Sequence, residues 1–268
     1  MMKKNASLIK KAINTIKSKG EVAVIPYICC WDPDLETTEA ILWELAEVEP
    51  ACIELGFPFS DPVADGPTIQ KAIVRALEHQ PTFEAYFDFI SRLNQKGFPH
   101  PIVCMTYYNI IYRFGLGNTV EHALKSGLAG FIIPDLPIEE AQPWIKANQN
   151  SGLATIFLAT PTSSKERIQK IVKHTKGFLY YVSITGITGA RDSLPEDLAY
   201  RLKTTKNLCG SNLPLAVGFG ISKREQIKLL SPYTDAFIIG SAIVKIIEEK
   251  GKNSPKEIKT FLKNLKNL

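Results

Sequence analysis

Short apolar runs alternate along the chain with longer stretches in which apolar residues recur every three or four positions. The runs at 22–28, 51–55, 102–105, 130–133, 155–158, 178–182, 215–218 and 236–239 read as strands. Most are continuously apolar, as parallel strands covered on both faces must be. Helical patterns lie between them, near 36–47, 83–96, 119–126, 139–150, 164–175, 195–205, 223–230 and 241–250. Three helix starts carry capping-box pairs: Asn118 with Glu121, Ser163 with Glu166, and Ser222 with Glu225. Eight strand–helix units without a linker or low-complexity segment predict an α/β fold, a single (β/α)8 TIM barrel spanning residues 1–268. The alternative is an open doubly wound sheet, which more often has about five or six strands.

Three further patterns fit a barrel. Residues 6–18 form an amphipathic helix before the first strand, suited to covering the barrel bottom. Residues 67–78 open with Pro67, a favoured first-turn residue, and predict a short helix after strand 2. Residues 255–268 read as a closing helix.

One acid interrupts this apolar pattern. Glu54 sits near the end of the second strand, and an unpartnered carboxyl in an apolar strand is costly. The loop after it holds Asp61 and Asp65 and is stiffened by Pro58, Pro62 and Pro67. Glu54 and Asp65 can therefore face one pocket from opposite sides. Asp61, directly before Pro62, is expected to serve the turn.

Barrel chemistry is done at the C-terminal strand ends. There the sequence delivers Tyr27 to Trp31, Glu54, Thr106 to Asn109, Asp135, Thr160, Tyr180, Gly218-Phe219-Gly220 and Gly240-Ser241. Two glycine turns on the last two strands, the second opening a helix, predict a phosphate cradle. Glycine admits a close backbone approach, and the helix N-terminus favours an anion. A dinucleotide fingerprint is excluded, since its third glycine would fall at Lys223. The polar, glycine-hinged stretch 183–193 reads as a lid, with Gly189 able to reach the phosphate.

Composition narrows the chemistry further. The 268 residues carry a net charge of +5, with 45% hydrophobic and 22% charged, ordinary for a globular enzyme. The basic clusters near both ends lie on helical patterns and read as solvated faces, with no nucleic-acid motif beside them. No signal peptide or membrane-length apolar run appears, so a cytoplasmic location with no membrane partner is expected. Five cysteines without paired spacing argue against a disulfide framework; Cys29, Cys30, Cys52 and Cys104 are expected to pack. No strand end offers a Schiff-base lysine, and His79, His100, His122 and His174 fall on helices or at the wrong barrel face. No metal site is expected. What remains is carboxylates, a tyrosine and a phosphate cradle, which suit proton transfer on a phosphorylated substrate.

Residues 53–69, IELGFPFSDPVADGPTI, resemble the signature of the tryptophan synthase α-subunit family. Tyr107-Tyr108-Asn109, the run 133–140, Gly186-Ile187-Thr188-Gly189, the run 218–222 and the run 240–245 extend the resemblance along nearly the whole chain, in the family's order. The resemblance implies retro-aldol cleavage of indole-3-glycerol phosphate to indole and glyceraldehyde 3-phosphate. It implies Glu54, Asp65 and Tyr180 as the catalytic residues, with Glu54 at the hydroxyl and C3, Asp65 at the ring nitrogen and Tyr180 orienting. Substrate contacts are expected from Tyr27, Thr188, Gly189, Gly218, Phe219, Gly220, Gly240 and Ser241. It implies a β-subunit partner in an α2β2 heterotetramer, with pyridoxal phosphate in that partner and no cofactor in this chain.

Two departures stand out. Trp31 occupies a position where the family usually has glycine, expected near the indole end of the pocket. Ile184 stands where the lid often carries arginine, which predicts stronger dependence on the partner. Two other readings compete: an α chain that mainly activates its β partner, and another phosphate-binding barrel enzyme such as an isomerase. The paired acids argue against the last.

Overall fold

The computed structural model describes residues 5–183, 197–218 and 220–266. Its strands are β1 (Val24–Cys29), β2 (Ile53–Gly56), β3 (Ile102–Met105), β4 (Gly130–Ile132), β5 (Ala154–Ile156), β6 (Leu158–Ala159), β7 (Leu179–Val182), β8 (Leu215–Gly218) and β9 (Ala236–Ile239). Every pairing between them is parallel, in the order β5-β4-β3-β2-β1-β9-β8-β7-β6. The two outermost pieces, β5 and β6, are one strand interrupted at Phe157. The first half pairs with β4, the second with β7, and the Phe157 carbonyl accepts from Tyr180 N–H at 3.2 Å. The fold is thus the expected TIM barrel rather than an open sheet.

The helices are α1 (Ala6–Ser18), α2 (Leu35–Ala46), α3 (Pro67–Leu77), α4 (Phe83–Gln95), α5 (Tyr108–Phe114), α6 (Leu116–Ser126), α7 (Gln142–Ala147), α8 (Lys165–His174), α9 (Leu198–Cys209), α10 (Arg224–Leu230), α11 (Ser241–Lys250) and α12 (Ser254–Lys266). Among the described residues, no helix is long and apolar enough to cross a membrane.

Strand alternation explains where the core sits. One set of side chains points into the barrel: Ala23, Ile25, Cys52, Val103, Ile132, Ile156, Phe178, Ala216 and Ile238. Small residues dominate at the strand starts, with Ala23, Ala51, Ala129, Ala154, Ala216 and Ala236 all buried. The room they leave is filled by Ile9, Ile13 and Ile16 of α1, which pack into the same cluster. Burial of each such side chain is worth about 1.5–3 kcal/mol. Asn5 starts this plug helix by accepting from the N–H groups of Ser7 and Leu8. The opposite strand faces pack under the outer helices, where Trp144 meets Phe131 edge-on with ring centroids 5.2 Å apart.

Helix starts differ from the sequence reading in detail. Helix α6 begins at Leu116 behind Gly115, so Asn118 lies in the first turn and donates to the Phe114 carbonyl. Ser163 is engaged by Thr160 N–H, which leaves the adjacent Ser164 to cap α8. At α10, Gln226 accepts from the N–H groups of Ser222 and Lys223, in place of a Ser222–Glu225 pair. Helix α5 was not expected. Its first N–H, from Tyr108, is satisfied by Asp135 at the end of β4.

Candidate active site

The strand register brings two inward side chains level. Tyr27 of β1 pairs with Glu54 of β2, and Glu54 with Val103 of β3. Glu54 follows the inward Cys52 by two residues, so alternation turns its carboxyl into the barrel, one layer above the apolar core. It is 1% exposed, and its Oε2 has no hydrogen-bond partner among the described residues. A buried polar atom without a partner is expensive in a purely structural role.

The loop after β2 returns a second acid to the same place. Asp65 accepts at Oδ2 from the Tyr107 hydroxyl at 2.7 Å, and Tyr107 in turn accepts from Ala64 N–H at 3.1 Å. Gln70 Nε2 donates to the Asp65 carbonyl at 2.8 Å, and Pro67 opens α3 two residues later. Tyr107 thus holds the Asp65 carboxyl from the strand 3 side, while Gln70 fixes the Asp65 backbone from the helix side. Asp61 is exposed and stays within its own turn, where Ser60 donates to it.

Burial pushes the Glu54 carboxyl up to about 8, with the Asp65 charge adding to the rise. Burial pushes Asp65 up to about 6, with the Tyr107 hydrogen bond holding it lower. Tyr27 and Tyr180 are raised well above the usual phenol range, first by burial and then by charges that include Glu54 and Asp65. Both phenols remain proton donors at neutral pH.

These groups line one cavity of about 390 Å3. Its polar end holds Tyr27, Glu54, Asp65 and Tyr180; Met105, Ile69, Ile238 and Phe261 supply apolar walls; Gly220, Ser222, Gly240 and Ser241 form the far rim. Gly240 is the N-cap of α11, and the first-turn residues Ser241 and Ala242 also line the cavity, so the open N-terminus of this helix lies at that rim. Gly220 has φ +75°, a left-handed turn in which a side chain is strained. Of the residues expected from sequence, the structure brings Tyr27, Glu54, Asp65, Tyr180, Gly220, Gly240 and Ser241 together. Thr188, Gly189, Phe219 and the lid 184–193 lie outside the described residues.

Two expectations change. Gly218 is not on the cavity wall. A Cβ there would stand 2.7 Å from the Tyr180 hydroxyl, so this glycine makes room for the tyrosine. Trp31 is also off the wall. It turns outward to Phe57 and Tyr86, with centroids 6.3 and 6.4 Å away. It holds φ +68°, the conformation that suits glycine at this position. Thr160 keeps to its own turn with Thr162 and Ser163. The sequence reading missed the clamp by Tyr107 and the walls from Lys245 and Phe261. The Tyr107-Tyr108-Asn109 motif was a signal for the first; Phe261 lies far along the chain and gave none.

Comparison with known proteins identifies the family and the fold. The family model described as "Tryptophan synthase alpha chain" matches residues 13–268. A tryptophan synthase alpha chain of Methanosarcina mazei is 42% identical over 96% of this chain and 93% of its own length. One from Methanocaldococcus jannaschii is 44% identical over 87% of this chain and 82% of its own. Among solved structures, a chain from the tryptophan synthase α2β2 complex of Pyrococcus furiosus superposes with a TM-score of 0.84 at 40% identity, covering 91% of this chain and 97% of that one.

Proposed function

The chain belongs to the tryptophan synthase alpha chain family, and from that premise we propose that it cleaves indole-3-glycerol phosphate to indole and glyceraldehyde 3-phosphate. The observation that carries the reading is the pair Glu54 and Asp65, two carboxyls in one cavity whose environments push them apart to about 8 and about 6. At neutral pH the first holds its proton and the second is ionised. Two carboxyls thus separated divide the acid and base roles between them.

The proton steps follow. Asp65 accepts the hydrogen bond of the indole N–H, which raises electron density at C3. Glu54 gives its proton to C3. The resulting Glu54 carboxylate then takes the proton of the side-chain hydroxyl next to C3. The C–C bond breaks as the carbonyl forms, and the bond electrons return to the ring. One proton enters at C3 and one leaves the oxygen, so Glu54 ends as it began. The free Glu54 Oε2 is available for both transfers. Tyr180 orients the reacting end, and Tyr27 lines the substrate's path beside it. The phosphate is held at Gly220, Gly240 and Ser241, on the backbone N–H groups and dipole of the α11 N-terminus.

The reading carries an α2β2 assembly with a β subunit and a cytoplasmic location. It assigns pyridoxal phosphate to that partner and no cofactor to this chain. The test is indole release from indole-3-glycerol phosphate by the purified chain, with and without β subunit. Release that β accelerates supports the reading. A chain that releases no indole but still activates β would be a regulatory subunit only.

A further inference from the structure

Helix α11 brings more than its N-terminus to the cavity. Lys245 lines the same cavity as Glu54, Asp65, Gly220 and Ser241, and it is the one basic side chain to do so among the described residues. The other charged groups on that wall are acids: Glu54, Asp65 and Glu249. A phosphate monoester brings about 1.5 to 2 negative charges at neutral pH. A helix N-terminus offers only about half a positive charge. Backbone alone therefore leaves a phosphate under-compensated in a cavity whose other charged groups are acids.

Geometry favours the lysine as the missing charge. It lies four residues after Ser241 on α11, so the two share a helix face. The ammonium now lies beside Glu249, one turn on, and the N-terminal lean that long helical side chains favour would carry it back toward Ser241 and the glycine rim. Its side chain is 68% exposed, so the ammonium stays hydrated and free to swing. Its partner Glu249 is 3.8 Å away, well beyond the distance of a tight charge-assisted hydrogen bond. Such a pair exchanges easily for a stronger anion.

We propose that Lys245 is a further phosphate-binding residue, which leaves Glu249 and closes on the substrate phosphate when it occupies the rim. The proposal rests on the cleavage reading only for the identity of the substrate; the phosphate contact can be read separately.

The test uses the full chain with its β subunit. Lys245→Met is expected to raise KM for indole-3-glycerol phosphate about five- to tenfold with little change in kcat, and Lys245→Arg to restore it. Titration with glycerol 3-phosphate should show the same loss in Kd for Lys245→Met. Added sodium chloride should weaken the parent more steeply than this variant. Glu249→Gln frees the lysine and should leave KM at or below the parent value. Unchanged KM and Kd in Lys245→Met would overturn the proposal. So would a Glu249→Gln variant as impaired as Lys245→Met, because the pair would then serve only the helix. A parent that binds glycerol 3-phosphate through Lys245 but cleaves nothing would support the lysine while removing the cleavage reading.

Discussion

Tyr107 donates its hydroxyl proton to Asp65 Oδ2 at 2.7 Å, across 42 residues of sequence. That bond stabilises the ionised form of Asp65 and works against the burial that lifts it to about 6. Tyr107→Phe removes the donor and keeps the ring against Phe59. Asp65 should then ionise at higher pH. The acidic limb of kcat/KM is expected to move upward, with a loss of about tenfold near pH 6 that shrinks by pH 8. A pH profile superimposable on the parent's would show that this bond does not set the active ionisation.

Glu54 links the site to stability. Its carboxyl rises from 4.5 to about 8 on folding, because burial disfavours the charge. With a raised folded pKa, its contribution is fully present below about pH 4.5 and is lost as pH climbs through about 8. Asp65 acts in the same direction between 3.8 and about 6. Glu54→Gln removes the first titration. Thermal melts should show the variant gaining on the parent as pH rises from 5 to 9, with little difference at the acidic end. A constant difference across that range would mean that Glu54 titrates normally.

Trp31 is buried at φ +68°, a backbone conformation that costs about 1–2 kcal/mol for a side chain. Trp31→Ala should lose about 3–5 kcal/mol of packing against Phe57 and Tyr86. Trp31→Gly makes the same cavity but relieves the backbone, so it should be the more stable of the two by about 1 kcal/mol. Denaturant titration separates them, and the reverse order would contradict the strain. KM for the indole substrate should change little, since Trp31 is off the cavity wall.

Arg75 of α3 grips the fully buried Asp32 through Nε at 2.7 Å and Nη2 at 2.9 Å. Arg75→Met strands that carboxylate and should cost about 3 kcal/mol. Adding Asp32→Asn should recover part of the loss, because a neutral amide is cheaper to bury than an unpaired charge. Urea melts of the two single variants and the double variant test this; strictly additive losses would deny the coupling.

Much of this was legible in the sequence where a pattern carries a physical necessity. The continuous apolar runs foretold parallel strands, and the alternation of Cys52 with Glu54 turned the acid inward. Pro67 marked the start of α3. Misreadings arose where two residues could satisfy the same need. Ser163 and Ser164 both fit a cap, and only the turn at Thr160 decides between them. Helix α5 starts on a carboxylate from the turn after β4, Asp135, which no local pattern encodes. Gly218 reads from sequence only as part of a glycine turn, while the space it leaves is taken by Tyr180 of the neighbouring strand β7. Phe261 reaches the cavity from α12, far along the chain from Glu54 and Asp65. Side chains that meet only through the barrel's closure leave no trace in sequence spacing.

The division of proton transfer between Glu54 and Asp65 is tested most directly by single-turnover indole release in Glu54→Gln and Asp65→Asn, with β subunit present. Each variant should keep its affinity for glycerol 3-phosphate, since neither side chain belongs to the glycine rim, and should lose roughly 100-fold or more in the cleavage step. Cleavage at the parent rate in either properly folded variant would contradict that residue's place in the chemistry.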